Sequence, residues 1–152
     1  MQILGLLDTE MIKWFPPVVL TIMTNAIGFG VYKYRYDILP GVNFKEHLDG
    51  LGSALASYAT AMMALIFALI VILTSLDNAN IQRFRAHGYL QGAMIFYFVC
   101  FIQLGITLLL SLLCLSSIKT YFIASLTLTL AVVTLIQIIF IVIQIVLLSI
   151  RN

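Results

Sequence analysis

The sequence contains little charge, and none of it lies within its two longest apolar runs. Of 152 residues, 8 are Lys or Arg and 6 are Asp or Glu, whereas 62% are hydrophobic. No residue of these four charged types occurs from Ala86 to Ile118 or from Thr120 to Ile150. A helix needs about 20 apolar residues to cross a bilayer, so each run is long enough. The composition therefore indicates an integral membrane protein.

The scarcity of charge also excludes several functions. A net charge of +2 is too small for a nucleic-acid surface, so we expect no direct nucleic-acid binding. The apolar runs contain no charged residue of the kind that marks proton relays, voltage sensors or intramembrane catalysis. The only cysteines, Cys100 and Cys114, fall about four turns apart on one predicted helix, too far apart for a disulfide. We therefore expect neither an enzyme nor a bound cofactor.

The apolar runs and their boundaries predict an all-α fold with four transmembrane helices in a single membrane domain, residues 1–152. We predict spans at about 14–32, 51–76, 88–116 and 121–150, with an extramembrane loop over 33–50. Pro16 and Pro17 would occupy the opening turn of the first span, where their missing N–H groups cost least. Residues Met1–Lys13 would form a separate amphipathic segment at the membrane interface.

Two stripes of uncharged polar residues run along the last two spans. Gln103 and Thr107 lie in the third span, whereas Gln137 and Gln144 lie in the fourth. Polar side chains avoid lipid tails, so both stripes should face protein or water. They either form hydrogen bonds between helices or line a neutral pore. With only four helices in a chain, a pore would require several copies in a ring.

Small residues recur every four positions in the second predicted span. This spacing lets two helices approach closely in lipid. The packing is either within one subunit or at an interface between copies, and both alternatives remain open. The residues are Gly52, Ala56, Thr60 and Ala64.

The loops carry most of the charge, but they do not determine the orientation. With four spans, each side of the membrane would carry four Lys or Arg residues, so the positive-inside rule is undecided. The first loop contains Lys45, Glu46, His47 and Asp49, whose spacing is not diagnostic of a metal site. A solvated, turn-rich loop is the simpler interpretation, and we expect no metal. The second loop contains Arg83 and Arg85.

The first loop contains the string P-G-V-x-F-x-x-H-x-D-G-L-G, which includes Pro40, Gly41, His47, Asp49 and Gly50. This string is the most specific of several segments that resemble the RexB family, the membrane proteins of lambda-type prophage exclusion systems. Shorter matches are Ser57-Tyr58-Ala59, His87-Gly88-Tyr89 and Leu115-Ser116-Ser117-Ile118. The resemblance extends roughly from Leu39 to Leu148.

The resemblance implies a four-span protein of the bacterial inner membrane, with both termini in the cytoplasm. It also implies that the second loop, with Arg83 and Arg85, faces a cytoplasmic partner. RexB-like proteins are thought to depolarise the membrane as ion channels when a cytoplasmic partner senses phage infection. We therefore expect a homo-oligomer, with four copies as the working number, a partner encoded by a neighbouring gene, and contact with membrane lipid. The alternative is a non-conducting membrane sensor or scaffold that recruits or releases a cytoplasmic effector, comparable in architecture to the membrane subunit of the Kiwa defence system.

Overall fold

The protein is a bundle of long helices, seen here in a computed structural model that describes residues 2–38, 47–76, 79–116 and 120–150. These residues contain no strand, which confirms the predicted all-α class. In chain order the helices are α1 (Gln2–Lys33), α2 (Arg35–Ile38), α3 (Leu48–Ser75), α4 (Ala79–Ala86), α5 (Tyr89–Leu115) and α6 (Tyr121–Ile150).

Three helices in the described part of the chain are long and apolar enough to cross a membrane. They are α3, α5 and α6, and their ends lie within a few residues of the last three predicted spans. The sequence predicted four spans, and the remaining one, at about 14–32, falls within α1. The structure thus gives three candidate spans together with a fourth long helix.

Helix α1 differs from the prediction at its amino-terminal end. It begins at Gln2 and continues through Pro16 and Pro17 without a break, so the described residues 2–13 belong to the same helix as the first predicted span. Each proline removes one backbone donor. Such prolines are tolerated within membrane helices because neighbouring helices, polar side chains and water satisfy the freed carbonyl groups.

The long helices alternate in direction, and the contacts between α1 and α6 show their relative register. Gln137 donates a hydrogen bond to Thr24, one turn before the point where Gly28 lies against Val133. A Cβ atom added at Gly28 would overlap Val133 Cγ2, so the two backbones approach closely there. Because residue numbers rise along α1 as they fall along α6, the helices are antiparallel.

Helices α3 and α5 form a second antiparallel pair, which makes the most extensive helix contact. Gly52 of α3 lies so close to α5 that an added Cβ atom would be 3.0 Å from Ser111 O and 3.0 Å from Cys114 Cβ. Farther along, the rings of Phe67 and Phe101 meet edge to face at a centroid distance of 5.0 Å. This glycine contact and the aromatic pair hold the two helices along much of their length.

The core consists of large apolar side chains from α3, α5 and α6, including Ile66, Leu73, Leu104 and Ile141, all fully buried. The outer surface is also apolar: the most exposed large side chains belong to residues such as Phe29, Phe67, Phe98, Leu109 and Leu147. A soluble protein rarely exposes so much contiguous apolar surface. A bundle apolar both inside and outside is typical of a protein surrounded by lipid.

The second predicted loop contains the helix α4, which packs against the amino-terminal end of α5. Ile81 of α4 is fully buried, and this tertiary contact explains why a polar segment becomes helical. Arg85 Nη2 donates hydrogen bonds to Thr74 O at 2.8 Å and Leu76 O at 3.4 Å, satisfying carbonyl groups at the end of α3. Gly88, with φ of 75°, makes the left-handed turn that leads into α5.

Candidate functional site: a polar layer inside the bundle

The polar residues predicted as a pore or as interhelical contacts point into the subunit. Thr107 and Gln137 are fully buried, and Gln103 is half-buried. Four further hydroxyl side chains from α1, α5 and α6 are buried with them: Thr24, Ser111, Thr127 and Thr134. These residues form a polar layer within an otherwise apolar core. Thr107 and Gln137 therefore face the interior of the subunit in this arrangement.

Gln137 is at the centre of the polar layer and links α6 to α1. Its Nε2 donates to Thr24 Oγ1 at 3.0 Å. The Thr24 hydroxyl in turn lies 3.0 Å from the carbonyl oxygens of Leu20 and Thr21, and donates within its own helix. Among the described residues, Gln137 Oε1 has no hydrogen-bond partner although it is buried. A buried carbonyl oxygen without a partner costs about 1–3 kcal/mol, so its retention calls for an explanation.

Gln103 makes a second polar contact, between α5 and α1. Its Nε2 donates to Asn25 Oδ1 at 3.3 Å, and Asn25 Nδ2 donates to Thr21 O at 2.8 Å. Within the described part of the chain, Gln103 Oε1 is likewise buried without a partner. The adjacent residues Thr24 and Asn25 of α1 therefore accept hydrogen bonds from glutamines of two different helices. In each glutamine the Oε1 atom has no partner among the described residues. Ordered water or an ion commonly satisfies such acceptors.

The hydroxyl groups of the layer bond to the backbone of their own helices. Thr107 Oγ1 donates to Gln103 O at 2.8 Å, and Ser111 Oγ donates to Thr107 O at 2.7 Å. A hydroxyl that donates in this way still has lone pairs with which to accept a hydrogen bond. The layer is therefore rich in acceptor oxygens that could face water or a cation if the helices separated.

Two tyrosines add polar contacts at the edges of the layer. The hydroxyl oxygen of Tyr58, in α3, lies 3.1 Å from Ala131 O and 3.1 Å from Thr134 Oγ1, both in α6. The Tyr97 hydroxyl is 3.5 Å from Gln144 Oε1, at the outer limit for a hydrogen bond. Half-buried Gln144 lines a cavity of about 360 Å³ rather than the closed layer. The roles of Tyr58, Tyr97 and Thr24 were not predicted from the sequence, although polar atoms in apolar runs were a usable signal.

The small-residue row of α3 divides between two environments. Gly52 is buried against α5, Ala56 is half-buried, and Thr60 and Ala64 are exposed on the outer surface. Apart from Gly52, the buried face of α3 consists of Ala59 and four large side chains, namely Leu55, Ile66, Leu69 and Leu73. Gly52 therefore packs inside the subunit, whereas Thr60 and Ala64 are free to contact lipid or another copy.

The loop residues of the resemblance lie at the end of the bundle away from α4. His47 occupies the position before α3, without a side-chain capping bond, and Asp49 lies in the first turn, where its charge favours the helix dipole. Gly50 is exposed. Pro40 and Gly41 lie outside the described residues.

The residues predicted to face a partner, Arg83 and Arg85, lie in α4 at the opposite end. Both side chains are exposed. Arg85 is held by the end of α3, whereas the Arg83 side chain borders an open cavity. Among the described residues, no group of three His, Cys, Asp or Glu side chains could hold a metal ion.

Comparison with known proteins gives this architecture a family. The family model described as "RexB: Membrane-anchored ion channel, Abi component" matches residues 15–152. A relative from Escherichia phage lambda, protein rexB, is 33% identical over 129 residues, which cover 85% of this chain and 90% of the relative. No solved structure matches the chain. The family match includes most of α1, which the resemblance seen in the sequence did not reach. The chain is therefore a multi-pass membrane protein that belongs to the RexB family.

Proposed function

We propose that this chain is the membrane subunit of a phage-exclusion system and forms a homo-oligomeric ion channel in the bacterial inner membrane. A cytoplasmic sensor partner would trigger the channel, which would then depolarise the infected cell. The family description as a membrane-anchored ion channel and Abi (abortive infection) component supports both conduction and defence. The structural observation that carries the proposal is the buried polar layer, above all Gln137 with its unpartnered oxygen.

Helix α1 would be the fourth membrane span. Helix α1 lies beside α6 over much of the length of α6. At one end Pro17 and Leu147 line the same cavity, and at the other end Gly28 lies close to Thr129. At 1.5 Å per residue, positions 129–147 of α6 rise about 27 Å, close to the thickness of a bilayer core. A helix that accompanies α6 over this height would cross the same membrane. A four-span arrangement places both termini and α4 on one side, which we assign to the cytoplasm.

The described arrangement would be the closed state of the channel. Gln137 and Thr107 have no exposed surface, so water has no access to the centre of the polar layer. Opening requires α1 to separate from α5 and α6, because Thr24 and Asn25 of α1 cover the two glutamines. Hydration of the exposed oxygen atoms would offset part of the cost of that separation. The resulting path would be neutral and weakly selective.

Single-cell membrane potential during phage infection tests this proposal. Cells would carry the gene with its neighbours, either unchanged or with Gln137→Met, which keeps an unbranched side chain but removes both polar atoms. We expect rapid depolarisation in the unchanged strain and its loss in the Gln137→Met strain. Gln91→Met is the matched control, since Gln91 is an exposed glutamine of α5 outside the polar layer. It should leave the depolarisation unchanged.

The other outcomes distinguish the alternatives. Depolarisation that is equal in all three strains would refute conduction through the polar layer. Protection from phage without any change of potential would refute the channel and favour a non-conducting sensor or scaffold. That second function has one observation in its favour: the glutamines already join α1 to α5 and α6 by hydrogen bonds, which is what a purely structural role requires.

A further inference from the structure

Two neighbouring cavities open at the α4 end of the bundle and differ in chemistry. The first, of about 360 Å³, lies between α1, α4, α5 and α6, and its walls are almost entirely apolar. Deep within it are Leu20, Gly92, Ala93 and Phe96. The second, of about 610 Å³, is bordered by Arg83 and His87. The two cavities share Phe84, Tyr89 and Leu147 as lining residues, so they are adjacent, and we refer to the pair as the groove, with an apolar and a basic part.

The basic part of the groove has cationic and polar groups available for a ligand. Arg83 is exposed, and the described residues provide no partner for its guanidinium group. His87 Nδ1 lies 2.7 Å from Arg83 O, and a carbonyl oxygen can only accept, so Nδ1 carries the hydrogen and Nε2 of the neutral ring is left to accept a hydrogen bond, for example from a hydroxyl group. The His87 ring stacks on Tyr89 at a centroid distance of 6.1 Å, which fixes its orientation. Among the described acidic side chains, Asp37 and Asp49 lie at the opposite end of the bundle.

We propose that this groove binds an anionic phospholipid, with the phosphate at Arg83, a headgroup hydroxyl at His87 and an acyl chain in the apolar cavity. The amphiphilic shape of the groove matches such a molecule, since guanidinium groups bind phosphate in a bidentate manner and apolar walls receive hydrocarbon. Its place beside α4, at the end of three membrane helices, is where headgroups meet acyl chains. A soluble phosphate compound would leave the apolar part unfilled. The proposal requires only that the chain is embedded in a membrane and is independent of conduction.

Native mass spectrometry of the purified full-length protein tests this proposal by comparing phosphatidylglycerol with phosphatidylcholine of the same acyl chains. The unchanged protein should retain phosphatidylglycerol preferentially. One basic side chain near an anionic lipid contributes about fivefold in affinity, so Arg83→Gln should reduce the preference by about that factor. Leu147→Trp should weaken retention of both lipids, because Leu147 lines both cavities and the larger indole would fill part of the space for the lipid. Leu147 is 64% exposed, so the larger side chain should not disturb the core.

The matched control is Lys33→Gln, which removes one exposed positive charge from the opposite end of the bundle. It should not alter the lipid preference. Equal retention of the two lipids, or the same loss in Lys33→Gln as in Arg83→Gln, would show nonspecific contact with surrounding lipid and overturn the proposal. Displacement of phosphatidylglycerol by millimolar glycerol 1-phosphate would also overturn it, because the ligand would then be a soluble phosphate.

Discussion

Replacing Gln137 by methionine should stabilise the protein while removing its proposed activity. The substitution removes the hydrogen bond from Nε2 to Thr24, and such interhelical bonds in membranes average about 0.6 kcal/mol. It also removes the buried Oε1 that has no partner among the described residues, which relieves about 1–3 kcal/mol. The difference is a gain of about 0.5–2 kcal/mol, provided that the unbranched side chain fills the same space.

Thermal unfolding in detergent would measure this gain, with Gln91→Met as the matched control. Gln91 is exposed, so that variant should unfold at the temperature of the unchanged protein. A Thr24→Val variant should have the opposite effect and lower the unfolding temperature, because it leaves Gln137 Nε2 without its acceptor. A Gln137→Met protein less stable than the unchanged one by more than about 1 kcal/mol would refute the reasoning, because both polar atoms of Gln137 would then be engaged.

Two glycines give further predictions about the fold. Gly52→Ala should destabilise the protein by about 1–3 kcal/mol in thermal unfolding, since its Cβ would press on the backbone of α5. Gly50→Ala, two residues earlier and with open space around it, should cause no loss; equal effects would contradict the close approach of α3 and α5. Gly88→Ala should cost about 1–2 kcal/mol, because an alanine at φ of 75° is strained. Gly88→Asn should destabilise the protein less, because asparagine tolerates the left-handed conformation better than alanine. If amide hydrogen exchange in α4 and α5 is the same in both variants, backbone strain at position 88 is not the cause.

The long helices were predictable from the sequence because charge and turn residues mark where they end. Asp49 and Gly50 lie at the start of α3, and Gly88 lies just before α5, close to the predicted boundaries. Helix α4 was not predictable in the same way. Its residues are polar, and it is helical because Ile81 is buried in the bundle, a tertiary contact that the local pattern does not encode.

The direction of the polar stripes could not be decided from their spacing. A residue such as Gln137 avoids lipid equally well inside its own subunit or at a pore between copies, so both arrangements produce the same periodicity. The missing information was that Thr24 and Asn25 of α1 accept hydrogen bonds from Gln137 and Gln103, which places both stripes inside the subunit. The continuity of α1 through Pro16 and Pro17 was equally hidden, because the prolines alone favoured a helix start.

Cys100 and Cys114 are free thiols, and both are buried. Water-soluble maleimides react with accessible thiolates, so the native cysteines should be silent in the closed protein. A single cysteine introduced at an exposed site outside the membrane helices, such as His47, could then be labelled without first removing the native pair. The same property makes the native thiols a built-in reporter: Cys100 has no exposed surface, and its labelling would report any movement that lets water between the helices.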